Sequence, residues 1–172
     1  NEFVRPFDHW NVLHRLNWTD RPTESATVHF ADLGLDPERL YLVYEFWSGT
    51  FLGSHRTQVE LPAAKPMGIG SYAIREQLDR PQLLSTSRHL SQGGVDLLSL
   101  AWKGKTLSGR SKVVIGDRYE IVLHTPPGQV LKTARFGKLP AEVTTTGEVV
   151  RMAFTPSATG ETDWSATFAP GK

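Results

Sequence analysis

Cysteine is missing from all 172 residues, which excludes disulfides and thiolate metal sites outright. A dominant charge is missing too. Lys and Arg number 19 against 18 Asp and Glu, for a net charge of +1 and a pI near 8.2. A nucleic-acid partner would ask for a strongly basic face, so none is expected. No apolar run approaches the roughly 18 residues of a membrane-spanning helix, and no membrane partner is expected either. Stretches with the 3.6-residue apolar period of an amphipathic helix are also lacking, apart from a turn or two over Ile74–Arg80. That argues against a parallel α/β architecture, which needs helices between its strands.

What is present is β-forming material. Hydrophobic residues make up 39%, with five Trp, four Tyr and eight Phe, enough for a real core. The organising stretch is Leu40–Gly53, LYLVYEFWSGTFLG. Aliphatic and aromatic residues run from Leu40 to Phe46 with only Glu45 between them, and this run is strand-length. Trp47-Ser48-Gly49-Thr50 then predicts a turn, with Phe51-Leu52 returning until Gly53. This hairpin is expected at the centre of a β-sandwich. Upstream, Trp10–Trp18 alternates strictly, with Trp10, Val12, His14, Leu16 and Trp18 on one face, as a half-buried strand does. Further strands are predicted over Ser25–Ala31, Gln58–Leu61 and Ser71–Ile74.

Arg80-Pro81 reads as a boundary, because the residue before proline is pushed into an extended conformation. Beyond it the pattern continues: Leu83–Leu90, Val95–Trp102, Thr106–Ile115, Tyr119–Thr125, Val130–Phe136, Glu142–Thr145, Val149–Phe154 and Trp164–Phe168. Turn residues separate these strands at ~8–12-residue spacing, as in sandwiches and barrels. The expected fold is all-β, with two consecutive antiparallel β-sandwich units over 1–79 and 80–172, the second immunoglobulin-like in style. One larger sandwich is the alternative.

Chemistry is far less legible. His9, His14, His29, His55, His89 and His124 include no pair spaced to share a strand or helix face, so no metal or other cofactor is expected. No G-x-S-x-G elbow or phosphate-binding loop occurs. Ser108-Gly109-Arg110-Ser111 and Gly104-Lys105-Thr106 read as structural. Asp-rich Asp32–Glu38 looks like a turn, although a calcium loop would look the same. Carboxylates for glycoside hydrolysis are plentiful, but most lie in turns. Glu45, inside the hairpin strand, is expected to face solvent or to meet an Arg across the sheet. Asn17-Trp18-Thr19 fits the N-glycosylation pattern within an apparent strand and is read as chance. Trp10, Trp18 and Trp47 are assigned to cores. Trp102 and Trp164, at strand ends, are the two rings left open to a carbohydrate contact.

Three phrases carry a family resemblance: DHWNVLHRLNWTDRP (Asp8–Pro22), ADLGLD (Ala31–Asp36) and YLVYEFWSGTFLG (Tyr41–Gly53). In this order they resemble the all-β domain behind the catalytic barrel of α-galactosidase (melibiase)-like glycoside hydrolases. RPQLLSTSRHLSQGGVDLLSLAW (Arg80–Trp102) looks like the continuation in some bacterial members. In that family the catalytic carboxylates belong to a (β/α)₈ barrel of ~250 residues, so no catalytic residue carries over to this chain. The resemblance implies a non-catalytic C-terminal accessory domain whose partner is the catalytic barrel of the same polypeptide. The absence of an initiating Met is expected of such a piece; the sequence does not fix the compartment, and a secreted or periplasmic setting is favoured over a cytoplasmic one. A carbohydrate-binding module and a structural or adhesive immunoglobulin-like domain are the rivals.

Overall fold

A computed structural model describes residues 1–171. It is all-β, with sixteen strands and a single 3₁₀ turn among the described residues, and it divides into two compact units. The first comprises Asn1–Phe3 and His9–Gln77, and the second comprises Val4–Asp8 and the chain from Leu78 onward. Val4–Asp8, which the sequence placed with its neighbours in the first unit, thus groups with the second.

The first seven strands are β1 (Glu2–Arg5), β2 (Asp8–Leu16), β3 (Ala26–His29), β4 (Leu40–Glu45), β5 (Thr50–Arg56), β6 (Gln58–Leu61) and β7 (Ile69–Glu76). Five of them form a sheet in the order β1-β2-β7-β4-β5. The β3-β6 ribbon and the 3₁₀ turn Phe30–Leu33 contribute the other side of the core, in which Phe30, Val59 and Leu61 meet Tyr41, Val43, Tyr72 and Ile74. Alternation explains the partition. Tyr41, Val43 and Glu45 share one face of β4 with Tyr72 and Ile74 of β7, because the register pairs Val43 with Ile74 and Glu45 with Tyr72.

The β4-β5 hairpin forms as the sequence implies, but β5 is an edge strand and only β4 is interior. Nor does Gly53 end the return. The register slips between Val43 and Tyr44, Gly53 takes φ +104° at this bulge, and β5 continues to Arg56. Where a turn or two of helix was expected, Ile74–Glu76 completes β7.

The second unit contains β8 (Gln82–Thr86), β9 (Leu97–Lys103), β10 (Thr106–Val113), β11 (Tyr119–His124), β12 (Gln129–Phe136), β13 (Leu139–Pro140), β14 (Glu142–Thr146), β15 (Val149–Phe154) and β16 (Gly160–Pro170). Sheets β13-β12-β16-β10-β9 and β14-β15-β11-β8 enclose a core in which Tyr119, Ile121 and Leu123 meet Leu107, Phe136, Trp164, Ala166 and Phe168. Lys103-Gly104-Lys105 is the hairpin turn that the sequence predicts, with Lys103 opposite Thr106. Gly109 stands directly across from Trp164. A Cβ at Gly109 would lie 2.4 Å from the indole and 2.6 Å from the Ser99 carbonyl, so the glycine is the space into which the ring folds. The Trp164 Nε1–H donates to Ser111 Oγ at 3.0 Å. The Ser-Gly-Arg-Ser phrase therefore seats a core tryptophan.

Candidate functional site

The turn of the β4-β5 hairpin is pinned from below by Glu45. Its side chain lies at the end of β4, on the core-facing side, and the residue is only 6% exposed. One carboxylate oxygen accepts the Ser48 amide at 2.5 Å and the Ser48 hydroxyl at 2.7 Å. The other accepts the Ser71 amide of β7 at 3.0 Å. Burial alone would raise its pKa, but these bonds and one from the Trp47 amide outweigh it and hold the carboxyl below its ordinary value. The sequence suggested that Glu45 faces solvent or meets an arginine; instead it is buried and bonded to Ser48 and Ser71. Turn amides and a hydroxyl serve in place of a cation.

Above this anchor Trp47 is 57% exposed, with Phe46 packed against it edge-on at 5.0 Å between ring centroids. Trp47, Ser48 and Glu45 form one side of an open groove of about 370 Å³, which Pro62–Lys65, Gly68–Gly70 and Tyr72 complete. Two buried or half-buried side chains of β2 and its extension fix the segment around Pro62–Lys65. Arg15 donates to the carbonyls of Leu61 and Pro62, to Thr23 Oγ1 and to the Glu24 carbonyl. The Asn17 amide donates to the carbonyls of Arg21, Ala64 and Lys65 while its oxygen accepts from Thr19. Tyr72 folds back over Gly70, where a Cβ would come within 2.6 Å of the phenol. Burial pushes the Tyr72 phenol above its ordinary pKa, so it remains neutral.

Beside the groove the β2-β7 ladder runs out in exposed apolar side chains. Leu16 pairs with Ile69, and both are exposed. The Asn17 backbone N–H donates to the Gly68 carbonyl and the Met67 backbone N–H to the Thr19 carbonyl, which carries the pairing past the ladder to the Trp18 and Met67 positions. These two are 74% and 69% exposed. Met67 also holds φ +49°, a left-handed conformation that a long side chain rarely adopts.

Two other grooves are open. One of about 310 Å³ brings His9, Asp36, Arg39, Tyr41 and Glu76 together. There Arg39 grips both Glu76 oxygens at 2.6 Å and reaches Asp36 at 3.4 Å, while His9 meets Glu2 at 2.8 Å. Its charges are committed to one another. Asp36 also accepts the Glu38 amide, so the Asp32–Glu38 loop closes as an ordinary Asx turn. A groove of about 410 Å³ in the second unit runs past Val130, Leu131, Val143, Thr145 and Glu148, and Glu148 lies 3.5 Å from the buried His124. Among the described residues no group of three or more His, Cys, Asp or Glu is placed to hold a metal ion.

The five tryptophans distribute differently from the sequence expectation. Trp10 is buried as expected, between Phe3 at 5.2 Å and the Arg75 guanidinium at 4.3 Å. Trp164, read as open to a sugar, is 2% exposed in the second core and offers no ring face to a ligand. Trp102 is half-buried between Arg80 at 5.6 Å and Phe168 at 6.2 Å. Trp18 and Trp47, assigned to cores, are the two on the surface. The signal that could have found them is local. Trp47 belongs to a Trp-Ser-Gly-Thr turn and Trp18 abuts the Asp20-Arg21-Pro22 breaker, so both sit where strand alternation ceases to apply. No protein-family model matches the chain, and no curated protein does.

Proposed function

We propose that the chain is a non-catalytic accessory domain of a carbohydrate-active enzyme, one that packs beside a catalytic barrel of the same polypeptide. The observation that carries this reading is the apolar end of the β2-β7 ladder, where Leu16, Trp18, Met67 and Ile69 stand exposed together. Contiguous apolar surface of this kind marks an interaction site, and a neighbouring domain is the occupant that the resemblance at Asp8–Pro22 and Tyr41–Gly53 supplies. The acids in the grooves fit the same reading. Glu45 is held by turn amides, and Asp36 and Glu76 by Arg39, so their lone pairs serve the fold.

The test has two parts. Reading the coding sequence upstream of Asn1 is expected to reveal a barrel with carboxylates at its strand ends; tandem sandwiches there would instead favour an adhesive domain. Incubating the purified chain with aryl glycosides is expected to give no turnover. Hydrolysis would end the accessory reading.

A further inference from the structure

We propose that the groove under Trp47 is a binding subsite for a neutral pyranose. This rests on the accessory-domain reading for its ligand class and goes beyond it, since a domain that merely packs on a barrel needs no site of its own.

The argument begins with what a hexopyranose presents. Its C–H faces are apolar and its rim carries hydroxyls, so a matching site needs a flat apolar surface with polar atoms within a few ångströms. Trp47 supplies the surface, with Ile69 and Pro62 along the same groove, and Ser48 and Lys65 supply polar groups. At about 370 Å³ the groove lies at the small end of ligand sites, roughly 300–1,000 Å³, which suits one or two sugar rings and not a long polymer.

The second strand of the argument is rigidity. Exposed turn residues are ordinarily the loosest in a domain, yet here a buried carboxylate at the end of β4 links the Ser48 amide of the turn to the Ser71 amide of β7. The opposite wall is fixed by Arg15 and Asn17. A binding surface held in place before the ligand arrives loses less entropy on association.

The balance of charge narrows the ligand further. Glu45 and Lys65 both line the groove and offset one another, so a charged sugar gains nothing there that repays the loss of its hydration.

The experiment is an NMR titration of the ¹⁵N-labelled chain with methyl α-D-galactopyranoside, methyl α-D-glucopyranoside and, separately, D-galacturonate. Saturable millimolar binding of at least one neutral pyranoside is expected, with shifts concentrated at the Trp47 indole N–H and the amides of Ser48, Lys65 and Ile69. Galacturonate should bind more weakly. Trp47→Ala, at an exposed position that should tolerate it, is expected to weaken binding about tenfold, equivalent to about 1.4 kcal/mol. No saturable shift with either neutral sugar overturns the subsite, as does binding that maps elsewhere or survives Trp47→Ala. Tighter binding of galacturonate overturns the assignment to neutral sugars. The two readings fail separately. A silent groove beside an upstream barrel removes only the subsite, whereas sugar binding without any barrel removes only the accessory role.

Discussion

Glu45 concentrates the most consequential chemistry at a single residue. Replacing it with Gln keeps its shape but puts an amide N–H₂ among donors, so Glu45→Gln is expected to cost about 2 kcal/mol, in the range for hydrogen bonds to a charged group. Urea denaturation followed by tryptophan fluorescence measures this. The pH dependence follows from the direction of the shift. The folded carboxyl has a pKa below its ordinary value of 4.5, so its stabilisation is complete above that value and is lost as pH falls through the folded pKa. His124 acts at higher pH. Burial depresses its pKa from the ordinary 6.5, with Glu148 opposing only in part. It stays neutral in the fold while the unfolded chain takes up a proton, so stability should decline as pH drops below 6.5 and level off beneath the folded pKa. Thermal melts from neutral to mildly acidic pH check the decline, which His124→Gln should reduce. Alternation puts Glu45 on the same face as Tyr41 and Val43, but both faces of β4 are buried, so the pattern could not tell its inward direction from the solvent-facing one expected. Its partners were no more legible, because the amides of Ser48 and Ser71 become donors only once turn and strand meet.

Among the elements, the paired strands β10 and β16 offer the sharpest test. Gly109→Ala would drive a methyl group into Trp164 and the Ser99 carbonyl, and overpacking of this kind costs typically 1–3 kcal/mol. A lowered melting temperature is expected, with a perturbed near-ultraviolet signal from the displaced indole. Wild-type stability in this variant would mean that the ring has another place to go. Most strands were legible because alternation and turn residues are local signals; Tyr119–His124 and Val149–Phe154 are almost as the sequence drew them. β13 was missed because two residues are too few to establish a period, and β1 because Glu-Phe-Val-Arg does not alternate. The β5 edge strand was cut short for a different reason. A glycine inside a bulge looks, in sequence, the same as a glycine that ends a strand.

For the whole molecule, the division into two units raises the question of where each begins. The sequence set one boundary near Arg80, whereas the compact units exchange the short segment Val4–Asp8. Within the second unit Phe7 packs against the core, and Arg5 donates to the Gly94 carbonyl. No local pattern could announce this, since the contacts join residues almost ninety positions apart. Phe7→Ala is therefore expected to destabilise the second unit by about 2 kcal/mol, at the low end of large-to-small losses because Phe7 is only partly buried. Hydrogen exchange should register the loss at Leu97 and Leu107 amides. Unchanged protection there would show that the segment is dispensable.

A ribosome delivers Val4–Asp8 long before it delivers β16. The segment that helps complete the second unit must therefore wait for its partners there until nearly the whole chain has emerged. Cutting the gene cleanly between Gln77 and Leu78 would leave the Phe7 ring on one product and the core it packs against on the other.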